Sequence, residues 1–214
     1  QWDSGDVTGL LRLFAANRDS LRRAVYGNWQ QLLVARLRHW LNRNSRTGSK
    51  RNIMAHYDLG NAFYAQWLDP TMSYSSAIYR AHDGDDLPTA QYAKYRRILR
   101  RLQASPGQSV LEIGCGWGGF AELAVVDGLQ VTGLTLSPAQ LEWAQRRVPQ
   151  ADLRLQDYRD LDERFDHVVS IEMFEAVGER WWPTYFRKVR EALKPGGRAV
   201  IQSITIRDDL FDDY

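Results

Sequence analysis

The chain has 214 residues, room for one domain of ordinary size with a helical extension. Its 44% hydrophobic and 25% charged content places it among soluble globular proteins, and no run of about 18 apolar residues is present to span a bilayer. A net charge of +2 gives no bulk-charge signal for a partner, and the single cysteine, Cys115, excludes an intrachain disulfide, which suits a reducing, cytoplasmic compartment.

The chain opens at Gln1, shows no signal peptide and reads as a fragment of a longer protein. Residues 8–47 read as helical and, with the Gly48-Ser49 break, make residues 1–50 a helical N-terminal segment. Leu21, Val25, Trp29, Leu33, Leu37 and Leu41 recur every four residues, one apolar stripe on a helix from about Asp19 to Arg43. That stripe either packs on the rest of the protein or docks on a membrane. Arg36, Arg38, Arg43, Arg46, Lys50 and Arg51 form one basic cluster; Lys94, Arg96, Arg97, Arg100 and Arg101 form another. Each reads as a solvated helix face, and together, beside aromatic residues, they also suit an anionic membrane surface.

Residues 51–105 read as an aromatic-rich helical cap. Tyr57, Phe63, Tyr64, Trp67, Tyr74 and Tyr79 crowd its first half, Asp69-Pro70 marks a turn, and Asp83-Gly84 with Pro88 marks a loop. Thr89 is the expected cap of the next helix, on which Tyr92, Tyr95, Leu99 and Leu102 share a face. From Ser109 the rhythm becomes strand–helix alternation, with strands at 109–113, 129–135, 152–156, 166–172 and 198–205. Helices fall at about 118–127, 138–148 and 180–193, Ser137-Pro138 starting the second and Pro195-Gly196-Gly197 ending the third. This alternation predicts an α/β fold over residues 106–214, a doubly wound, mostly parallel sheet with ligands beyond the carboxyl ends of its strands. Glu112, Thr135, Asp157 and Glu172 lie at or near such ends.

Residues 110–118, Val-Leu-Glu-Ile-Gly-Cys-Gly-Trp-Gly, carry the most information. A short apolar strand ends in an acid and then in glycines on alternate positions, E-x-G-x-G-x-G rather than the dinucleotide pattern G-x-G-x-x-G. Glycine lets backbone approach a ligand closely, and a strand–helix turn can offer free N–H groups. The stretch resembles the first motif of S-adenosylmethionine-dependent methyltransferases. Glu112, Gly114, Cys115, Gly116, Trp117 and Gly118 are then the contacts for the methionine part of that cofactor, with Cys115 a small residue that fits the bend. The alternative is a tight turn without a ligand.

Three further stretches make the resemblance specific: His56-Tyr57-Asp58-Leu59-Gly60-Asn61, Leu68 through Ala77 (LDPTMSYSSA), and Ser170 through Gly178 (SIEMFEAVG). With Gly114–Gly119 and Gln156-Asp157-Tyr158-Arg159-Asp160 they resemble the cyclopropane-fatty-acyl-phospholipid synthases and mycolic acid cyclopropane synthases, over nearly the whole chain. The resemblance implies a class I methyltransferase fold, Rossmann-like, whose seven-stranded sheet has its last two strands beyond Tyr214. It implies S-adenosylmethionine as methyl donor and the double bond of an unsaturated phospholipid acyl chain as acceptor. The product is a cyclopropane or a methyl- or methylene-branched chain, and a bound bicarbonate is the implied base. Tyr74 and Ser75 would meet the cofactor, Thr135, Leu136 and Gln140 its ribose, and Asp157, Tyr158 and Arg159 its adenine. For Asp157 a turn cap, and for Gln140 an exposed first-turn position, are the alternatives. Glu175 matches the family glutamate that holds bicarbonate, and burial among Met173, Phe174 and tyrosines would raise its pKa. Ser76 and Gln202 stand where well-known members have Cys and His, and Ala176 where they have His, so the anion site is retuned. His56 and Tyr57 complete the candidate catalytic set, His56 ordering the loop over the cofactor.

The partners implied are phospholipid and the inner membrane face, bound peripherally; a homodimer is one assembly the sequence allows. No spacing suggests a metal site and no motif suggests nucleic acid. A small-molecule amine methyltransferase and a catalytically silent lipid- or cofactor-binding subunit remain as alternatives.

Overall fold

The computed structural model describes residues 5–17, 60–80, 84 and 86–208. The chain divides into two compact units, Gln1–Gly48 and Ser49–Tyr214. In the first, helix α1 (Val7–Ala16) starts at Asp6, whose carboxylate accepts from the Gly9 amide at 2.8 Å, and ends at Asn17. The apolar stripe of 19–43, and His56 and Tyr57, lie outside the described residues.

Among the described residues, the second unit has first the short helix α2 (Gly60–Tyr64), then turns and irregular chain to residue 80, then helix α3 (Leu87–Leu102). The cap of α3 is Asp86, not Thr89: the Asp86 carboxylate accepts from the Thr89 amide at 2.9 Å. Both side chains can cap, but Pro88 belongs in the first turn, which places the N-cap before it. Then follow β1 (Ser109–Ile113), α4 (Gly119–Val126), β2 (Gln130–Thr135), α5 (Pro138–Arg147), β3 (Asp152–Leu155), β4 (Phe165–Ile171), α6 (Trp182–Glu191) and β5 (Leu193–Gln202). Ser137 caps α5 as its sequence predicts, accepting from the Gln140 amide at 3.3 Å.

The five strands form one sheet of order β3-β2-β1-β4-β5 in which every pairing is parallel. Side-chain alternation sends the strands' apolar residues into two cores, as a parallel sheet covered on both faces requires. Val110, Val131 and Val169 pack with α3 and α4 residues such as Leu102 and Phe120. Leu111, Ile113, Leu134 and Val168 pack with Tyr185 and Val189 of α6. Glu112 shares the parity of Val110 and so points toward the α3 side.

The last helix and strand differ from expectation. Helix α6 ends at Glu191, and β5 starts at Leu193 and ends at Gln202, so Pro195-Gly196-Gly197 lies within the strand. Leu193 pairs with Phe165, then the register jumps to Arg198 against His167. Pro195 has no N–H to give the ladder and Gly196 takes a φ of +81°, so the three residues bulge out of the pairing.

Candidate active site

The carboxyl ends of the strands meet at a bend. Gly114, Gly116 and Gly118 all have positive φ, at +84°, +52° and +82°, which folds the chain sharply from β1 into α4. The amides of Gly114 and Cys115 both donate to the Leu134 carbonyl at 2.9 Å and that of Gly118 to the Cys115 carbonyl at 2.9 Å. These three amides are consumed by the fold, contrary to the expectation that the turn offers its N–H groups freely. The opening is at Gly116, where a Cβ would meet nothing within 4 Å; at Gly114 it would stand 3.0 Å from Met173. Cys115 is buried, and burial pushes its thiol well up, so it is a packed residue rather than a nucleophile.

The aromatic segment is tied to this bend. The Trp117 indole donates to Asn61 Oδ1 at 2.7 Å, and the Asn61 amide donates to the Ala139 carbonyl at 2.9 Å, so the end of the HYDLGN motif spans the glycine turn and α5. Tyr64 packs on Trp117 with rings tilted at 53° and centroids 5.1 Å apart, and Tyr64, Trp67 and Tyr74 form a mutual cluster at 5.5 to 5.6 Å. Tyr74 is 45% exposed, an aromatic face presented outward rather than spent in the core.

LDPTMSYSSA is held by buried polar bonds. The Thr71 hydroxyl donates to Asp69 Oδ1 at 2.9 Å and its amide donates to Oδ2 at 3.0 Å; its hydroxyl shares a 2.6 Å bond with Ser73, which pairs with the Tyr95 hydroxyl. Arg147 donates to the Thr71 carbonyl at 2.6 Å and to Glu122 at 2.7 Å. Met72, between them, is a non-glycine residue at φ +51°, a strained backbone such as clusters at functional sites.

Two charged groups lie beneath the bend. Glu112 is 3% exposed, and its Oε2 has no hydrogen-bond partner among the described residues. Burial raises its pKa well above the usual carboxylate range, against the opposing field of Lys94. Lys94 is 0% exposed; its ammonium donates to Ser75 Oγ and Gln91 Oε1, each at 2.5 Å. Desolvation lowers its pKa to about 8 although Glu172, Asp69 and Glu112 favour the charge. Lys94 therefore leaves the basic row in which its neighbours stand: Arg96, Arg97, Arg100 and Arg101 are exposed and Lys94 faces the core.

At the ends of β4 and β5, Glu172 gathers the polar groups. Its Oε1 accepts from the Ser76 amide at 3.0 Å, the Ser76 hydroxyl at 2.5 Å and the Gln202 amide at 2.8 Å. Burial opposes charge on this carboxyl, but the bonds from Ser76 and Gln202 and the field of Lys94 outweigh it and hold its pKa below the usual value. Glu172 has a φ of +47°, a second strained non-glycine position. Ser76 and Gln202, expected to hold a small anion, thus converge on a carboxylate of the chain itself. Glu175, three residues on in a 3₁₀ turn, is exposed and accepts from the Ile204 amide, so the buried setting expected for it is not the one it has.

The remaining candidates are engaged locally. Gln140 is 4% exposed, not the exposed first-turn residue of the alternative reading, and its Oε1 accepts from the Thr135 hydroxyl at 2.9 Å. Leu136 is half-buried beside them. Asp157 caps a 3₁₀ turn, accepting from the Arg159 amide at 2.9 Å, and pairs with the Arg159 guanidinium at 2.5 Å. That guanidinium lies 5.9 Å from the Tyr158 ring centroid. Sequence reasoning left Glu172, Lys94 and Gln91 out of the site. Glu172 was visible as a strand-end acid; Gln91, Lys94, Ile98 and Leu102 share the helical spacing of a buried stripe, which separates Lys94 from the arginines.

The family model for mycolic acid cyclopropane synthetase matches residues 44–211. The chain is 37% identical over 219 residues to tuberculostearic acid methyltransferase UfaA1 of Mycobacterium tuberculosis, covering 96% of this chain and 51% of that protein. It is 46% identical over 152 residues to cyclopropane-fatty-acyl-phospholipid synthase of Escherichia coli, covering 70% and 39%. The crystal structure of mycolic acid cyclopropane synthase CmaA1 complexed with SAH and CTAB superposes with a TM-score of 0.67 at 34% identity, covering 71% of this chain and 55% of that one. The chain spans about half the length of the curated relatives it matches.

Proposed function

The chain belongs to the mycolic acid cyclopropane synthetase family, and from that premise we propose that it transfers a one-carbon unit from S-adenosylmethionine to the double bond of an unsaturated phospholipid acyl chain. The observation that carries this reading is the carboxylate of Glu172, fixed by Ser76 and Gln202 at the strand ends beside the glycine bend.

The residues fit the methyl donor. The unpartnered buried oxygen of Glu112 suits an ammonium, the open side of Gly116 leaves room for a close backbone approach, and the Tyr64–Trp67–Tyr74 cluster suits a cation. CmaA1, crystallised with SAH, supports the same class of ligand here. When bound, S-adenosylmethionine supplies an electrophilic methyl group on a sulfonium. Glu112 would hold its amino end, Thr135 and Gln140 its ribose, and Tyr158 with Asp157 and Arg159 its adenine. Alkylation of an alkene leaves a cationic carbon, and Glu172 stands ready with a held negative charge to stabilise it and take a proton at its carboxylate. A carbon acid beside a cationic centre is very acidic, so a weak carboxylate base suffices. With Ser76 and Gln202 already turned to Glu172, the proton-accepting role falls to this residue rather than to bicarbonate. Loss of the proton from the added carbon with ring closure gives a cyclopropane; loss without closure leaves a branch.

The test is a reaction of the full-length protein with labelled methyl donor and oleoyl phospholipid vesicles, then mass analysis of the acyl chains. A one-carbon gain on the acyl chain is expected. Label appearing only in offered amines, or nowhere, overturns the reading.

Among the described residues no helix is long and apolar enough to cross a membrane. The exposed Arg96, Arg97, Arg100 and Arg101 suit an anionic membrane surface, where the proposed acyl-chain substrate lies. Replacing Arg97 by Gln weakens binding to anionic vesicles about fivefold, as one basic contact worth about 1 kcal/mol should. Flotation against neutral vesicles measures this, and equal binding of the two proteins to the anionic ones counts against it.

A further inference from the structure

The buried ammonium of Lys94 has no part in the reading above, yet it bonds Ser75 and Gln91 and lies in the field of Asp69, Glu112 and Glu172. It rises from α3 and donates to the Ser75 hydroxyl at 2.5 Å, while Gln91, one turn earlier, donates to the Ser75 carbonyl at 2.9 Å and also accepts from Lys94. The Ile78 amide donates to the Ala90 carbonyl at 3.1 Å. Helix α3 thus grips the chain from Ser75 to Ile78, the stretch that presents Tyr74 on one side and Ser76, the clamp on Glu172, on the other. The groups facing the ammonium come from every element packed around it: Asp69 from the LDPTMSYSSA segment, Glu112 from β1, Glu172 from the end of β4, and the Tyr95 ring of its own helix at 4.7 Å.

A lysine buried to this degree costs several kcal/mol of lost hydration unless it is hydrogen-bonded and faces opposite charge. An uncharged side chain of similar length would fill the space without that cost. Two carboxylates whose charge the proposed reaction uses, one for the donor's amino group and one for the cationic carbon, lie in the field of this cation.

We propose that Lys94 is the positioning residue of this site: its ammonium pins the Tyr74–Ser76 segment to α3 through Ser75 and sets a buried positive charge among Glu112, Glu172 and Asp69, the carboxylates that face the cationic donor and intermediate. It does so without touching either. This rests on the reading of the strand-end crevice as a methyl-donor site.

The test uses the full-length protein, calorimetric titration with S-adenosylmethionine from pH 6.5 to 9.5, and labelled-methyl turnover on oleoyl phospholipid vesicles. Lys94→Met is expected to weaken donor affinity about tenfold and lower kcat at the acid end. The gap between wild type and variant should close to within threefold at the alkaline end, because wild-type Lys94 sheds its proton around pH 8. The donor's own amino group titrates in both proteins alike and cancels from the comparison. A gap that is constant with pH, or a folded Lys94→Met protein within twofold of wild type throughout, overturns the assignment. Should Lys94→Met fail to fold, Ser75→Ala carries the test: it removes one oxygen and should weaken donor affinity about threefold, and unchanged affinity overturns the pinning role. A wild-type protein that does not bind S-adenosylmethionine at all would instead sink the underlying reading.

Discussion

Replacing Glu172 by Gln is expected to lower kcat by about 100-fold or more while leaving donor affinity within about threefold. Loss of a positioned general base costs about 10²–10⁴ in rate. The amide is isosteric, and its oxygen still accepts from the Ser76 amide and hydroxyl, so the clamp that now holds the carboxylate survives. What disappears is the negative charge and the ability to take a proton. Single-turnover transfer of labelled methyl to oleoyl phospholipid checks this, with donor binding measured separately. Glu175→Gln is the control: Glu175 is exposed and engaged by the Ile204 amide, and its replacement should cost far less than that of Glu172. A Glu175 variant slower than the Glu172 variant would return the proton-accepting role to the residue that the family resemblance favours.

Glu112→Gln is expected to move stability and binding in opposite directions. The carboxyl is buried and one oxygen has no partner among the described residues, so its charge is held at a cost. An isosteric amide removes the desolvation cost of the unpartnered carboxylate but also one counter-charge of Lys94, so a net gain of about 1 kcal/mol, about 2–4 °C in Tm at this size, is expected only where the desolvation cost dominates, at a pH above the unfolded carboxylate pKa. The sign with pH follows. An acid whose folded pKa is raised above its unfolded value destabilises the fold once the pH exceeds the unfolded pKa, increasingly until the folded pKa is passed. The wild-type advantage on acidification through that window should vanish in the variant. Donor binding should weaken about thirtyfold, since a hydrogen bond to a charged group contributes about 1.5–3 kcal/mol. Thermal melts and calorimetry of the two proteins measure both effects. A variant that binds the donor as wild type does removes Glu112 from the site.

Most of the sheet was legible because its strands are short apolar runs set between helix signals. Residues 109–113 and 166–172 read as strands of a sheet covered on both faces, and β1 (Ser109–Ile113) and β4 (Phe165–Ile171) lie there, their residues buried or half-buried. The start of β5 was not legible: Pro195-Gly196-Gly197 carries every mark of a helix stop, and only pairing with β4 shows that it is a bulge inside a strand. The cap of α3 is read as Thr89 instead of Asp86 because the two stand three apart, the spacing at which one side chain meets the other's amide. In the site, the strand ends and the glycine bend could be read from spacing. The partnership of Ser76, Gln202 and Glu172 could not, because it joins residues 96 and 126 positions apart through three separate elements. Lys94 was hidden for a different reason. Charge alone groups it with Arg96 and Arg97, whereas helical geometry turns it inward, and composition carries no information on that rotation.

Crystals of the full-length protein with S-adenosylhomocysteine give the most direct measurement. The ligand should lie along the glycine bend, its amino group within hydrogen-bond reach of Glu112 Oε2 and its sulfur turned toward the side on which Ser76 and Gln202 hold Glu172. A ligand seated elsewhere, with Glu112 Oε2 still unpaired and the opening at Gly116 filled by side chains, would contradict the account.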